Sequence, residues 1–314
     1  MTVVAGLDIG GTKVVAVVAT EDGTVRAAHR VPTPAAQGSD AILDVAAAAV
    51  RAACTQGGVP LPARLGVGTA GVVDRAAGRV VAATTALTGW AGTDVAGGLA
   101  ARLGTDRPVV LNDVHAFALA EGWRGAAAGH EDYVAVTLGT GVGGAVVAQG
   151  RLLEGAHHRA GHLGHVVVPQ AAGLACPCGG TGHLESVASG PAMVEALRAL
   201  GRDVGTAEDV GVALRAGDEA AAAVVRRAGD ALGTALAGLA AALDPSVVVV
   251  GGGALGVGDV LLDAARSGLA THALSPLGAL PVRPSAVEQA VAVGAVRAAL
   301  GGARSATRGE EVRP

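Results

Sequence analysis

Cysteine is scarce in this 314-residue chain, which holds only Cys54, Cys176 and Cys178. Three thiols, two of them one residue apart, do not make a disulfide framework. Aromatic residues are 1% of the sequence and Lys13 is its single lysine, while Ala, Gly, Val and Arg abound. That skew reads as genome bias rather than as a functional signal. No cationic surplus is present: the net charge is −4 and the pI about 6.1, which argues against a basic field for nucleic acid or an anionic membrane. Long apolar runs are missing too. Stretches such as "ALGTALAGLAAAL" are too short or too glycine-rich to span a bilayer, and "MTVVAGLDIGG" lacks the basic start and apolar core of a signal peptide. These absences lead to the expectation of a soluble cytoplasmic protein.

Hydrophobic residues make up 51% of the chain, enough for a large core, and the length suggests roughly two domains. The opening "VVAGLDIGGTKVVAVVATEDGTV" reads as strand, Gly-rich turn, strand and second turn. A helix follows over residues 39–54, with Ser39 or Asp40 at its start. "ARLGVGTAGVVD" is a buried strand running into a loop, "TDVAGGLAARLG" a helix, and "PVVLNDV" a strand ending in polar residues. The stretch from His115 begins as a helix. "YVAVTLGTGVGGAVVAQGRLL" then repeats the opening pattern: with Gly10 set over Gly139, "LDIGGTKVVAVV" lies over "VTLGTGVGGAVV". The spacing predicts further a helix at 228–243, a strand at 244–250, a third glycine turn at "GGGALG", a last helix over 285–300 and a frayed tail from residue 301. Strands and helices alternating in this way imply an α/β protein.

Gly accounts for 50 residues, about twice the usual share. Three clusters, "DIGGTK", "LGTGVGG" and "GGGALG", each follow a strand. Each can be a plain turn in a glycine-rich chain, or a cradle whose backbone N–H groups meet a phosphate with no Cβ in the way. The first turn leads into a strand, so neither a Rossmann fingerprint nor a Walker loop fits. Asp8 ends the first strand facing the turn, where a carboxylate can hold a hydrated Mg²⁺ beside a polyphosphate. Lys13 offers a compact charge for a phosphate. Asn112 and Asp113 end another strand. They suit a helix cap, or a base that accepts a hydroxyl proton and holds an alcohol in line. Five of the nine histidines lie between His157 and His183. His165, Cys176, Cys178 and His183 form a set that suits tetrahedral Zn²⁺; the bland alternative is inert cysteines beside unrelated histidines.

The order "DIGGTK", "LGTGVGG", "VVVVGGG" resembles the phosphate-1, phosphate-2 and adenosine segments of the sugar kinase/actin ATPase superfamily. Within it the chain resembles the ROK family of repressors, open reading frames and sugar kinases, from about Val4 to Leu300. The resemblance implies a two-domain, actin-like ATPase (ribonuclease H-like) α/β fold. A smaller domain would span 1–113 plus 288–314, and a larger one 114–287 with the zinc loop. It implies ATP and Mg²⁺ bound by Asp8, Gly10, Gly11, Thr12, Lys13, Gly139, Thr140, Gly141, Gly252 and Gly253. Asp113 becomes the general base. Gly71, Asn112, Asp113, His162, His165 and Glu185 become the sugar contacts. Ala70-Gly71 stands where the family usually has Pro-Gly. His165, Cys176 and Cys178 match three zinc ligands directly, and the zinc is structural. His183 occupies the place of the usual third cysteine, although His162 could instead complete the site. His162 stands where the family has a sugar-binding glutamate, exchanging an acceptor for a ring that accepts one hydrogen bond and donates one.

The activity implied is ATP-dependent phosphorylation of a hexose, glucose by default. Alternatives are another hexose, an N-acetylhexosamine such as N-acetylmannosamine, or sugar sensing without turnover. Repressors of the family carry a DNA-binding helix-turn-helix before the first glycine turn. Here "LDIGGTK" begins at residue 7, so a kinase that does not bind nucleic acid is expected. A homodimer is the implied assembly.

Overall fold

The computed structural model describes residues 2–84 and 86–301; most of the tail read as frayed lies outside them. In chain order come β1 (Val3–Ile9), β2 (Lys13–Thr20), β3 (Val25–Pro32), α1 (Ser39–Gly57), β4 (Leu65–Thr69), β5 (Val72–Asp74), β6 (Arg79–Ala82), α2 (Val95–Leu103), β7 (Val109–Asn112) and α3 (Asp113–Arg124). The second half continues with β8 (Tyr133–Leu138), β9 (Val142–Ala148), β10 (Arg151–Leu152), α4 (Glu185–Ala188), α5 (Gly190–Ala199), α6 (Ala207–Arg215), α7 (Glu219–Leu243), β11 (Val247–Gly251), α8 (Val260–His272), β12 (Val282–Pro284) and α9 (Ala290–Ala299).

Two five-stranded sheets result, ordered β3-β2-β1-β4-β7 and β10-β9-β8-β11-β12. Position for position the orders are the same, as expected of a duplicated strand–turn–strand unit. In the first sheet β2 is antiparallel to β1 and β3, while β1, β4 and β7 are parallel. Val- and Ala-rich runs suit this placement, because a central strand buried on both faces needs apolar, largely β-branched residues. Every residue of β2 after Lys13 is buried. At the edge, β3 alternates between half-buried and exposed positions.

The chain divides into two compact units. One contains the described residues up to Glu131, Val147–Ala160 and the chain from Ala286; the other contains Asp132–Val146 and Gly161–Ser285. The core of the first brings α1 and α2 against β1, β2 and β4, with Trp90 fully buried. On the opposite face α9 lies so close that a Cβ on Gly6 or Gly66 would strike the carbonyls of Ala292 and Ala295. Part of the glycine excess thus serves helix-on-sheet contact. In the second unit α7 and α8 pack on each other just as closely, Gly229 and Gly233 facing the α8 backbone.

The sequence reading ended the smaller domain at residue 113. Here α3 packs on α9, so the first unit runs on past it. The last helix also begins later than expected. Glu121, fully buried on α3, accepts from Ala126 N–H (2.8 Å), Ala286 N–H (3.4 Å) and Val287 N–H (3.3 Å). Gln289 is left-handed at φ 50°, which breaks any helix run through it, so α9 starts at Ala290. Among the described residues no helix is long and apolar enough to cross a membrane.

Candidate active site

The C-terminal ends of the parallel strands gather the polar residues of the first unit. Ile9, Thr69 and Asn112 lie in register across β1, β4 and β7. Asp8, the first glycine turn, Gly71 and Asp113 therefore share one edge of the sheet, the edge at which open α/β sheets bind ligands. Gly10 N–H closes the turn onto the Lys13 carbonyl at 3.0 Å. Thr33, which sequence reasoning missed, braces the turn from the end of β3. Its hydroxyl donates to the Gly10 carbonyl (2.7 Å) and its N–H to the Thr12 carbonyl (3.1 Å). The only local sign of it is a threonine between two prolines in "VPTPAA".

Asn112 takes the first of the two roles its position allowed, that of a helix cap. Its side-chain oxygen caps α3, accepting from Val114 N–H (2.9 Å) and His115 N–H (3.3 Å), while its amide donates to the Gly71 carbonyl at 2.9 Å. The cap therefore holds the Gly71 loop and fixes the first residue of the helix, Asp113. Trp90 supports the same loop from below, its indole N–H reaching the Thr69 hydroxyl (3.1 Å) and the Ala70 carbonyl (3.2 Å). Gly71 sits at φ 105°, where an L side chain is strained.

Two carboxyls at this edge are poised to titrate near neutrality. Burial pushes Asp113 up to about 6, against the pull of hydrogen bonds from Val114 N–H and the Asn112 amide. Burial, with the Asp113 charge adding to it and Lys13 opposing it, raises Asp8 to about 7. Such a crowded pair fits a site for a cation: a bound dication inverts the local balance and keeps both groups ionised.

In the second unit the turn between β8 and β9 is closed by Gly139 N–H on the Gly141 carbonyl (2.9 Å). Among the described residues, the chain neighbours aside, no heavy atom lies within 4 Å of the place a Cβ on Gly139 would take, nor of that on Gly253 after β11. Neither glycine has a left-handed φ. The fold gives no reason for glycine at either position, whereas close approach of a phosphate would. Gly252 and Gly141 differ. Gly252 is held at φ 99° against the backbone of Leu138, and a Cβ on Gly141 would come within 2.5 Å of a Glu185 carboxylate oxygen. That carboxylate accepts from Val142 N–H at 2.9 Å, a contact the sequence did not suggest.

The cysteines and histidines do converge. Among the described residues His165, Cys176, Cys178 and His183 bring their ligand atoms within 4.8 Å of one another. Cys176 Sγ lies 3.8 Å from His165 Nδ1, and Cys178 Sγ 3.2 Å from His183 Nδ1. Tetrahedral zinc, with bonds of about 2.0–2.3 Å, needs donors roughly 3.3–3.8 Å apart. Burial, then the neighbouring Cys178 and Glu185, push the Cys176 thiol up, a crowding that a bound cation relieves. The donor set thus fits zinc. A backbone hairpin builds it: Cys176 N–H donates to the Gly180 carbonyl (2.8 Å) and Gly179 N–H to the Cys176 carbonyl (2.9 Å). His162 is not in this group but stacks on His165, with ring centroids 6.2 Å apart.

Twin sheets of identical strand order, with glycine turns between their leading strands, define an actin-like ATPase fold. The ROK family model matches residues 4–301, and the chain belongs to the ROK family. It is 36% identical over 285 residues to a glucokinase of Streptomyces coelicolor, covering 85% of this chain and 86% of the relative. An N-acetylmannosamine kinase of Escherichia coli O157:H7 is 34% identical over 260 residues, 80% of this chain and 83% of the relative. Among solved structures, a ROK family glucokinase from Streptomyces griseus in complex with glucose and AMPPNP superposes with a TM-score of 0.83 at 31% identity, over 94% of this chain and 98% of that one.

Proposed function

We propose that the protein is an ATP-dependent sugar kinase that moves the γ-phosphoryl group of ATP to a hexose hydroxyl, with glucose the first substrate to test. The observation that carries this reading is Asp113. It is a carboxyl at the mouth of the parallel strands, fixed by the Asn112 cap and raised to about 6, in a chain whose relatives include glucokinases. In the reaction Asp113 accepts the proton as the hydroxyl oxygen bonds to the γ-phosphorus and ADP departs with the bond to its β-phosphate oxygen broken. A pKa near 6 leaves Asp113 mostly ionised at neutral pH and makes it a stronger base than an ordinary carboxylate. Asn112 orients the alcohol. In the first unit the turn around Gly10 offers backbone N–H groups to phosphate and Lys13 adds a point charge; in the second, the turns around Gly139 and Gly252 offer backbone N–H groups of the same kind.

Asp8 would hold Mg²⁺, whose chemistry would be to neutralise charge on the phosphates. Asp8 and Asp113 divide the labour: one holds the cation and the other takes the proton. Zinc held by His165, Cys176, Cys178 and His183 would act only as a cross-link, since four protein ligands leave no position for substrate. The hairpin so braced carries His162, His165 and Glu185 as sugar contacts.

A second reading, a kinase for an N-acetylhexosamine, is supported by His162 in place of a carboxylate and by the N-acetylmannosamine kinase relative. An ADP-release assay across hexoses and N-acetylhexosamines tests both. A kcat/KM at least tenfold higher for glucose supports the first, and the reverse order supports the second. Saturable sugar binding without turnover on any member would replace both with a sensor.

A further inference from the structure

Helix α4 is four residues long, yet it meets the turn of residues 139–141 at both of its ends. At its start the Glu185 carboxylate accepts from Val142 N–H (2.9 Å). Just beyond its last residue, Gly190 N–H donates to the Gly139 carbonyl (2.9 Å). The same short helix is tied to the Cys/His hairpin. Leu184 N–H donates to the Val166 carbonyl (2.9 Å) and the Ser186 hydroxyl to the Ala175 carbonyl (3.0 Å). Cys176 Sγ lies 3.9 Å from the second oxygen of Glu185. His183 stands two positions before Glu185.

We propose that Glu185 is a positioning residue which ties the shape of the nucleotide turn to occupancy of the four-ligand site, so that zinc and nucleotide bind cooperatively. The inference rests on reading that site as a zinc centre and the turn as a phosphate cradle. A short helix has little rigidity of its own, so the hairpin on one side and the turn on the other set its placement. With the ion bound, residues 165–183 are drawn into one arrangement, and Glu185 and Gly190 grip the turn from either side. Without it the hairpin keeps a few backbone bonds and the grip loosens. Little slack is present to absorb such a shift, because Gly141 is already packed against the carboxylate. Linkage makes the effect reciprocal: whatever factor zinc adds to nucleotide affinity, nucleotide adds to zinc retention.

The test measures both directions on purified protein. Zinc release to a chromogenic chelator is followed with and without saturating AMPPNP, and a fluorescent ATP analogue is titrated into zinc-loaded and zinc-stripped protein. We expect nucleotide to slow release about 5- to 10-fold and zinc loss to weaken the analogue by the same factor, within the usual range of coupling. Glu185→Ala should abolish both effects. Glu185→Gln, which keeps an acceptor oxygen for Val142, should retain most of them. Gly141→Ala pushes the carboxylate away from the other side and should uncouple in the same way with Glu185 intact. Protein that holds no zinc, or binds no nucleotide, overturns the underlying functional reading. Protein that holds both, with zinc release indifferent to nucleotide, overturns this inference alone.

Discussion

Strand for strand the sheet that starts at β1 and the sheet that starts at β8 are alike; their turns are not. In the first copy Asp8 stands next to last in the leading strand and Lys13 opens the return. Setting Gly10 over Gly139, the second copy has Thr137 and Val142 at those positions. At the far parallel strand the first copy ends in Asn112 and Asp113, and the second in Val282–Pro284. The groups assigned to the cation, the phosphate charge and the proton, Asp8, Lys13 and Asp113, all come from the first copy. The second carries open glycines and an inserted hairpin of soft ligands. A duplicated scaffold has kept its geometry in both halves while its charge has concentrated in one. That asymmetry suits phosphoryl transfer, in which one cation site and one base serve a single in-line displacement.

The largest test of this asymmetry is Asp113→Asn. Turnover should fall about 10²–10⁴-fold, the usual worth of a general base, with the dissociation constant of AMPPNP nearly unchanged. Retained activity near wild type would remove Asp113 from the reaction. In the wild type, kcat/KM should drop tenfold per pH unit below about 6, where Asp113 takes up its proton.

Asp8→Asn against Thr137→Ala is the next sharpest contrast. The first should lose about 10²-fold or more in kcat, the second less than about 2-fold; equal losses would mean that the copies share the cation's work. Stability should move the other way. Asp8 rises on folding from 3.8 to about 7, so the native state binds more protons between those values. Its contribution is fully present below 3.8 and is lost as pH rises through about 7. At pH 8 the unliganded Asp8→Asn protein should therefore melt roughly 2–4 °C higher, about 1 kcal/mol, with the gain shrinking towards pH 5.

Cys176→Ala touches the second copy alone. It should lose the zinc, measured as about one ion per chain in the wild type by elemental analysis, and lower the melting temperature. Zinc retained in that variant would assign it to other ligands. The smallest effect is expected from Thr33→Val. Losing its hydroxyl bond to the Gly10 carbonyl costs about 1 kcal/mol, read as a rise in KM for ATP of about 5-fold with kcat held.

What could be read from the sequence was what lies close along it. β-branched runs broken by glycine marked both hairpins. Asn112 and Asp113 stood out because polar residues ended an apolar strand, and the Cys/His set because its members fall between residues 165 and 183. Partners far apart in the chain left no such trace. Glu185 and Val142 meet across 43 positions, and Thr33 and Gly10 across 23. Glu121 reaches Ala286 and Val287 across 165 and 166 positions, and the left-handed Gln289 that delays α9 has no mark in the local sequence. Helices α5, α6 and α8 are absent from the expectation although α5 and α6 each carry a clear apolar face; both are only about three turns long, ten and nine residues.

The placement of α9 has a consequence for synthesis. This last described helix lies across the first strand, with Ala292 and Ala295 over Gly6 and Gly66. A ribosome delivers the start of the sheet long before the element that covers it. The second unit, Asp132–Val146 with Gly161–Ser285, can fold while that earlier sheet still waits. The portion translated first is thus finished last, and a chain cut short before residue 290 would leave one face of its opening sheet bare to water.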